Sequence, residues 1–455
     1  EVQKAYFIGR DQSFELGGIS TTVTLEIDSN LDIKRLNRAI CSMIGRHEAL
    51  RTVISPEGYQ RVLENVPHYQ VKIHDIRKWD VDEQAMFLQE KSEQMVALNF
   101  MPNEWPLFAI EAVQTSDDTF RLYFCFDMLI ADGNSLQLFA KELMDIYEDP
   151  QLDLKPIRYK IKDYMKSLTD LKKGSRYKKD SEYWKNKVHS FPFSPRLPIK
   201  QFAIKAGEQC FNRIEKTFSS EDWAHIKRIA KSHGVTPSAI LLTIYSYILA
   251  KWSNQQELSV SLTMFNRGPF HEDVNHMIGD FTSILPIDVK ISGSFWDCVK
   301  QVQQTVIQAL DHRSYDGVEM ARELSQYWNM GTRAIFPVVF TSMLNEDSPG
   351  WDNWSRLGTV LKIAGKGSQV ILDHQVTIVD GGISLGWDYV EQLFDKRVIQ
   401  SMFNQYIHSI EKLLNDTDPY ELTISGIAQE EYNKTTDELL IQRGPRLLHE
   451  TLRQQ

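Results

Sequence analysis

Phe124-Cys-Phe-Asp127-Met-Leu-Ile-Ala-Asp132-Gly-Asn-Ser135 is the stretch on which the reading of this 455-residue chain turns. The apolar run from Phe120 to Phe126 reads as a buried strand. Two carboxylates then follow, Asp127 and Asp132, with a glycine and Ser135 behind them. After Ser135 the apolar positions Leu136, Phe139, Ala140 and Leu143 fall at helical spacing. The pattern therefore predicts a short loop between a strand end and a helix start, with Ser135 as the helix cap. Functional groups concentrate at such junctions. On pattern alone, both aspartates read first as loop or cap residues.

Length and composition set the frame. A chain of 455 residues exceeds one ordinary core and predicts two domains. We place them at 1–175 and 176–430, with the polar tail 431–455 as a linker to a further domain. Apolar content of 42% and charged content of 25% are those of a soluble globular protein. No apolar run reaches the roughly 18 residues of a membrane span, and no signal-peptide pattern opens the chain. The net charge of −10 argues against nucleic acid as a partner. Cys41, Cys125, Cys210 and Cys298 are far apart, which predicts reduced thiols, a cytoplasmic location and no cysteine metal site. HExxH, GxGxxG and P-loop patterns are missing, so neither a metal nor a nucleotide cofactor is expected.

Working outward, Gln3-Lys-Ala-Tyr6-Phe-Ile-Gly9-Arg10 precedes a strand over Thr21–Ile27. Asn30 is the expected cap of a helix with Leu36, Ala39, Ile40, Met43 and Ile44 on one face. That helix ends in Arg46-His47-Glu48-Ala49-Leu50-Arg51, where His47 reads as a structural helix-end histidine. A hairpin over Leu50–Val71, a helix over Glu83–Ala97 and a strand from Trp105 follow. Residues 151–185 are rich in Lys and Tyr and predict a solvated helix joining two lobes. In the second half, Thr236-Pro237 starts a helix that carries Ile240, Leu241, Ile244, Ile248 and Leu249. A strand over Leu258–Met264 runs into Phe265-Asn266-Arg267-Gly268-Pro269. Met277-Ile-Gly279-Asp280-Phe281-Thr282-Ser283 comes next, then helices over Ser294–Asp311 and Gly317–Tyr327. Phe336–Leu344, with Thr341-Ser342, reads as a strand. The alternating Gln369–Gln375, with Asp373-His374-Gln375, should pair with Ile383–Tyr389 across Asp380-Gly381-Gly382. The latter strand carries Trp387-Asp388, with Glu391 beyond it. A long amphipathic helix over Asp395–Leu414 closes the lobe.

These segments resemble, in order, the motifs of the heterocyclization domains of nonribosomal peptide synthetases, relatives of condensation domains. The opening stretch is similar to their DxxxxD motif, which stands where condensation domains have HHxxxDG. Asp127 takes the place of the first His and Met128 that of the second, while Asp132-Gly133 match the DG. Met128 cannot carry a proton, so a base at that place is missing. The other segments resemble QxAYxxGR, RHxxLR, FNRxP…GDFTS, VVFTS, LDHQ and WDxxE, with Glu272 where the family often has Pro.

The resemblance implies an α/β (α+β) fold of two chloramphenicol-acetyltransferase-like lobes in a V with a central tunnel. It implies an enzyme that joins a carrier-bound aminoacyl or peptidyl donor to carrier-bound Cys, Ser or Thr. The new amide would then be cyclised and dehydrated to a thiazoline or oxazoline. Donor and acceptor peptidyl carrier proteins, with their phosphopantetheine arms, and an adjacent adenylation domain are the implied partners. No cofactor is bound directly. The family's catalytic pair falls on Asp373, which would move protons in cyclodehydration, and Thr341, which would orient it. The resemblance implies that Asp132 pairs with Arg267 as a scaffold and that Asp127 orders the tunnel wall. Ser283, Gln375 and Asp280 are candidate supporting residues. A plain condensation domain, a non-catalytic carrier-docking module and a coenzyme A acyltransferase remain the alternatives. Met128 weighs against the first and last of these.

Overall fold

The strand, loop and helix read around the two aspartates are present in the computed structural model, which describes residues 1–200, 206–344 and 352–420. The first half of the chain supplies β1 (Thr22–Ser29), the hairpin β2 (Thr52–Ile54) and β3 (Gln60–Val62), β4 (Lys72–Asp75), β5 (Phe108–Gln114) and β6 (Phe120–Asp127). The second half supplies β7 (Phe211–Phe218), β8 (Glu257–Phe265), β9 (Thr282–Lys290), β10 (Val338–Met343), β11 (Thr359–Lys366), β12 (Leu372–Val379) and β13 (Gly382–Val390).

One sheet runs β11-β1-β6-β5-β4 and the other β7-β13-β12-β10-β8-β9. The chain does not keep to two contiguous halves. β11, drawn from residues 359–366, is the edge strand of the first sheet and pairs antiparallel with β1. In the second sheet β12 lies parallel to β10 and antiparallel to β13, and β13 is antiparallel to β7. The predicted turn between β12 and β13 is there, with Asp380 and Gly381 at positive φ of 49° and 74°. That is the backbone a two-residue hairpin needs, and Gly381 adopts it without strain.

Each sheet has its own core. Helices Ile33–Arg46 and Gly133–Glu148 cover the first sheet with Leu36, Ile40 and Phe139 against Phe124 and Phe126. Trp354, from the segment leading into β11, is wholly buried there and meets Phe124 edge-on at 5.1 Å. Under the second sheet, Pro237–Ser253 is buried on nearly every side and packs on Lys396–Leu414. Apolar side chains all round are what a core helix requires.

Several expectations are corrected. The helix after β1 is capped by Asp32, not Asn30: its carboxylate accepts from the Arg35 N–H at 2.7 Å. The helix after the aspartate loop is capped by Asp132, not Ser135, because the Ser135 N–H donates to Asp132 Oδ1 at 2.6 Å. The joining segment is two helices, Ile161–Lys173 and Ser175–Lys187, broken at Gly174. β4, β7, β11 and the helix Ser220–Ser232 were not legible in the sequence. The tail 431–455 lies outside the described residues. Among the described residues no single helix is long and apolar enough to cross a membrane.

Candidate active site

The aspartate loop is held from two directions. Asp127 is fully buried, and Arg10 Nη2 donates to both its oxygens at 2.6 and 2.5 Å. The Leu129 N–H donates to Asp127 Oδ1 at 2.9 Å, and Gln3 Nε2 donates to the Leu129 carbonyl at 2.7 Å. The N-terminal helix Val2–Ile8 is thereby fastened to the loop. One guanidinium nitrogen thus bridges both carboxylate oxygens, a charge-assisted contact that ties the loop to Arg10.

Asp132 fastens the loop to the second half of the chain. Arg267 Nη2 lies 3.2 Å from Asp132 Oδ1 and donates to Ser135 Oγ at 2.9 Å. Arg267 Nη1 donates to the carbonyls of Val274 and Met277, both at 2.7 Å. Its guanidinium carbon sits 4.2 Å from the centre of the Phe281 ring. Asp132 Oδ2 accepts from the Phe281 N–H, and Ser135 Oγ donates to the Gly279 carbonyl. The Asp132–Arg267 pair expected from the family motif is thus present in the geometry. Ser135 serves the same clasp.

A cavity of about 320 Å³ opens beyond this clasp. Met128, Gly133, Thr263, Thr341, Asp373 and Gln375 line it. β10 and β12 run parallel with Thr341 beside Gln375, so the alternation of side chains puts Thr341, Asp373 and Gln375 on one face. Thr341 Oγ1 donates to Asp373 Oδ1 at 3.1 Å and lies 3.0 Å from Thr263 Oγ1. Gln375 Nε2 donates to the other Asp373 oxygen at 3.1 Å. Burial pushes the Asp373 carboxyl up, against the hydrogen bonds from Gln375 and Thr341 and the charge of Arg213. A carboxyl so placed exchanges its proton more readily near neutrality than an exposed aspartate.

The remaining candidates divide. Asp280 is half-buried next to the clasp; its Oδ1 accepts from the Thr282 N–H at 2.9 Å, and its buried Oδ2 has no hydrogen-bond partner. Burial pushes Asp280 up to about 7, with the charge of Asp132 adding to the effect. Ser283 is not brought to the cavity. Its neighbours on β9, Thr282 and Ile284, line that space, and alternation turns Ser283 to the opposite face. His47 is structural as read: its Nε2 is 2.8 Å from Glu142 Oε2, and burial lowers its pKa.

Arg10 stood in its motif without a role, and Thr263 and Arg213 were not singled out in the sequence. Arg213 Nη1 donates to Asp388 Oδ2 at 2.9 Å and lies 3.3 Å from Gln375 Oε1. Asp388 was visible in its motif but carried no role there. Period-two alternation from Asp373 to Gln375, continued across the hairpin, is the signal that finds it. Among the described residues no group of three or more His, Cys, Asp or Glu side chains is disposed to hold a metal.

Gly133 shows how tightly the loop meets the second lobe. A Cβ there would stand 2.7 Å from Phe265 Cζ. Gly133→Ala is expected to displace the Phe265 ring at the cavity wall and to lower stability by about 1 kcal/mol, the low end of overpacking costs. The denaturation midpoint of the variant measures it.

The arrangement of two sheets, each with its helices, and a cavity between them is that of two chloramphenicol-acetyltransferase-like lobes in a V. The chain belongs to the condensation-domain family, whose model matches residues 3–436. It is similar to bacitracin synthase 1 of Bacillus licheniformis, 36% identical over 421 residues, covering 92% of this chain and 8% of that protein. It is similar to phenyloxazoline synthase MbtB of Mycobacterium sp. (strain MCS), 29% identical, covering 91% of this chain and 35% of that protein. Among solved structures, the EpoB NRPS cyclization-docking bidomain from Sorangium cellulosum superposes with a TM-score of 0.85 at 29% identity, covering 93% of this chain and 85% of that one. The chain thus spans about a third or less of the length of these curated relatives.

Proposed function

We propose that this chain is a heterocyclization domain. It joins a carrier-bound aminoacyl or peptidyl donor to carrier-bound Cys, Ser or Thr, and then closes the side chain onto the new amide with loss of water. The observation that carries the reading is the Thr341–Asp373 contact at the cavity wall, with Met128 where a condensation domain has its base. The likeness to a cyclization bidomain and to a phenyloxazoline synthase supports it.

Amide formation takes place between two phosphopantetheine-tethered substrates, delivered by a donor and an acceptor peptidyl carrier protein. An adjacent adenylation domain loads the acceptor. The cavity's contribution is to hold both arms, and good orientation alone lowers such a barrier by about 7–11 kcal/mol. Ring closure is harder, because an amide carbonyl is a poor electrophile. The thiol or hydroxyl loses its proton as its sulfur or oxygen bonds to the carbonyl carbon, and the carbonyl oxygen gains one. Breakage of the C–OH bond then needs a proton on the departing oxygen, while the nitrogen gives one up to form C=N. Asp373 takes and returns these protons, and Thr341 and Gln375 hold its carboxyl toward the substrate.

Intact-mass spectrometry of the acceptor carrier protein tests the reading. After incubation with loaded donor and cysteinyl carriers, the product is expected to be one water lighter than the linear dipeptide. A product of linear mass with Cys, Ser and Thr alike would replace the proposal with plain condensation.

A further inference from the structure

The register of β12 on β13 sets Asp373 directly opposite Asp388. The register of β13 on β7 sets Asp388 directly opposite Arg213. Arg213, Asp388 and Asp373 therefore form one row across the face of the sheet. Directly opposed side chains on antiparallel strands stand with Cβ atoms about 4.5–5.5 Å apart. Asp373 and Asp388 both line the same cavity. Asp388 is buried, as is the whole of β13 on which it stands. Gly386 makes room for the row's cation, since a Cβ there would stand 2.4 Å from Arg213 Nη2.

Arg213 is the one cation hydrogen-bonded to either carboxyl among the described residues, and it is shared with Glu215 at 3.0 Å, so the two carboxyl groups carry negative charge in excess of their bonded partner. Two like charges at such separation do not both ionise readily, and one proton stays with the pair. We propose that Asp373 and Asp388 are a carboxyl pair sharing one proton, with Arg213 as its counter-ion, and that Asp388 is the positioning residue that keeps this proton available to Asp373 during ring closure. The last clause rests on the heterocyclization reading; the pair itself rests on the geometry.

A one-proton pair fits the proton balance of the reaction. In ring closure Asp373 gives its proton to the carbonyl oxygen and takes the proton of the attacking thiol or hydroxyl in return. In dehydration the pair takes the proton leaving nitrogen and gives one to the departing hydroxyl, which leaves as water. After each step the pair holds one proton again.

The surroundings agree. Burial pushes Asp388 up to about 7, with Asp373 and Glu215 adding to the rise and Arg213 opposing it. Burial likewise raises Asp373. The charged and titratable groups around Asp388 are Arg213 and Glu215 of β7, Asp373 of β12 and Lys362 of β11, the last sharing a small cleft with Asp388. Lys366 of β11 and Tyr6 of the N-terminal helix line the larger cavity with Asp373.

The sign of the effect of removing Asp388 is fixed. Asn in its place removes a negative neighbour and frees Arg213 to act on Asp373, and both changes lower the Asp373 pKa. The acid form is then lost at lower pH. The test has two readings on the full chain. Infrared spectra of the substrate-free protein, titrated through neutrality, are expected to show a protonated carboxyl band lost near pH 7. Asp373→Asn and Asp388→Asn should each remove it while leaving the Asp280 band, also expected near pH 7, and Asp388→Glu should restore it. In single-turnover reactions with preloaded carrier proteins, ring formation is expected to fall with pH along the same limb. In Asp388→Asn that limb should move at least one unit toward acid, a tenfold change in acid form. The linear intermediate should then accumulate, and Asp388→Glu should bring the limb back.

No band assignable to the pair, or an unmoved limb in Asp388→Asn, overturns the proposal. A band behaving as described in a protein that forms no ring upholds the pair and overturns the heterocyclization reading instead. If Asp388→Asn does not fold, the band in the unsubstituted chain and in Asp388→Glu decides.

Discussion

Asp373→Asn is expected to cut ring formation by about 10²–10⁴, the contribution general acid–base catalysis makes, while linear dipeptide builds up on the acceptor carrier. The asparagine keeps the shape of the side chain. Its amide oxygen still accepts from Thr341 or from Gln375, the two donors now 3.1 Å away. What is lost is the exchangeable proton. Amide formation makes no demand on that proton if it depends on holding two tethered arms together, so the two products should separate cleanly. Mass spectrometry over time reads both. A variant with unchanged ring yield would remove Asp373 from the chemistry. A folded variant that yields neither product would mean the carboxylate serves amide formation as well. Because burial rather than a single neighbour raises the Asp373 pKa, Thr341→Ala should be milder. It removes one oriented hydrogen bond and leaves the acid.

How much of this was legible before the structure follows from the kind of signal each residue gives. The Asp127–Ser135 loop was readable because strand and helix periodicities change across it. The β12–β13 hairpin was readable because Asp-Gly between alternating apolar residues names its turn. β7 and β11 gave no such signal. Phe211-Asn-Arg-Ile-Glu-Lys-Thr-Phe218 mixes charge on both faces, since Arg213, Glu215 and Thr217 on one face line a polar cleft against β11. β11 is a sheet edge with Lys and Gly in its run, and only pairing with β1 makes it a strand. Missing β7 meant missing Arg213, and with it the reason for Asp388. The Arg267–Asp132 contact spans 135 positions of chain, a distance no local pattern bridges. Its expectation came from family resemblance alone. Ser283 turns away from the cavity for a simpler reason: a motif names neighbours in sequence, and on a strand neighbours face opposite ways.

Arg267→Ala should fail differently from Asp373→Asn, and the contrast separates scaffold from chemistry. Asp132 is fully buried, and removing Arg267 strands its charge and leaves the Val274 and Met277 carbonyls without their donor. Breaking a buried pair from one side costs about 3–5 kcal/mol. The clasp also ties the aspartate loop to the segment running from β8 to β9, so its loss loosens one lobe against the other. Ring and linear products should fall together, and the denaturation midpoint should drop. Arg267→Lys should recover only part of the loss. A lysine ammonium cannot reach Asp132, Ser135 and two carbonyls at once, nor lie flat over Phe281 as a guanidinium does. An Arg267→Ala variant with an unchanged midpoint that still forms linear dipeptide but no ring would refute the scaffold role. Arg267 would then belong with Asp373, acting on the substrate instead of holding the loop that faces it.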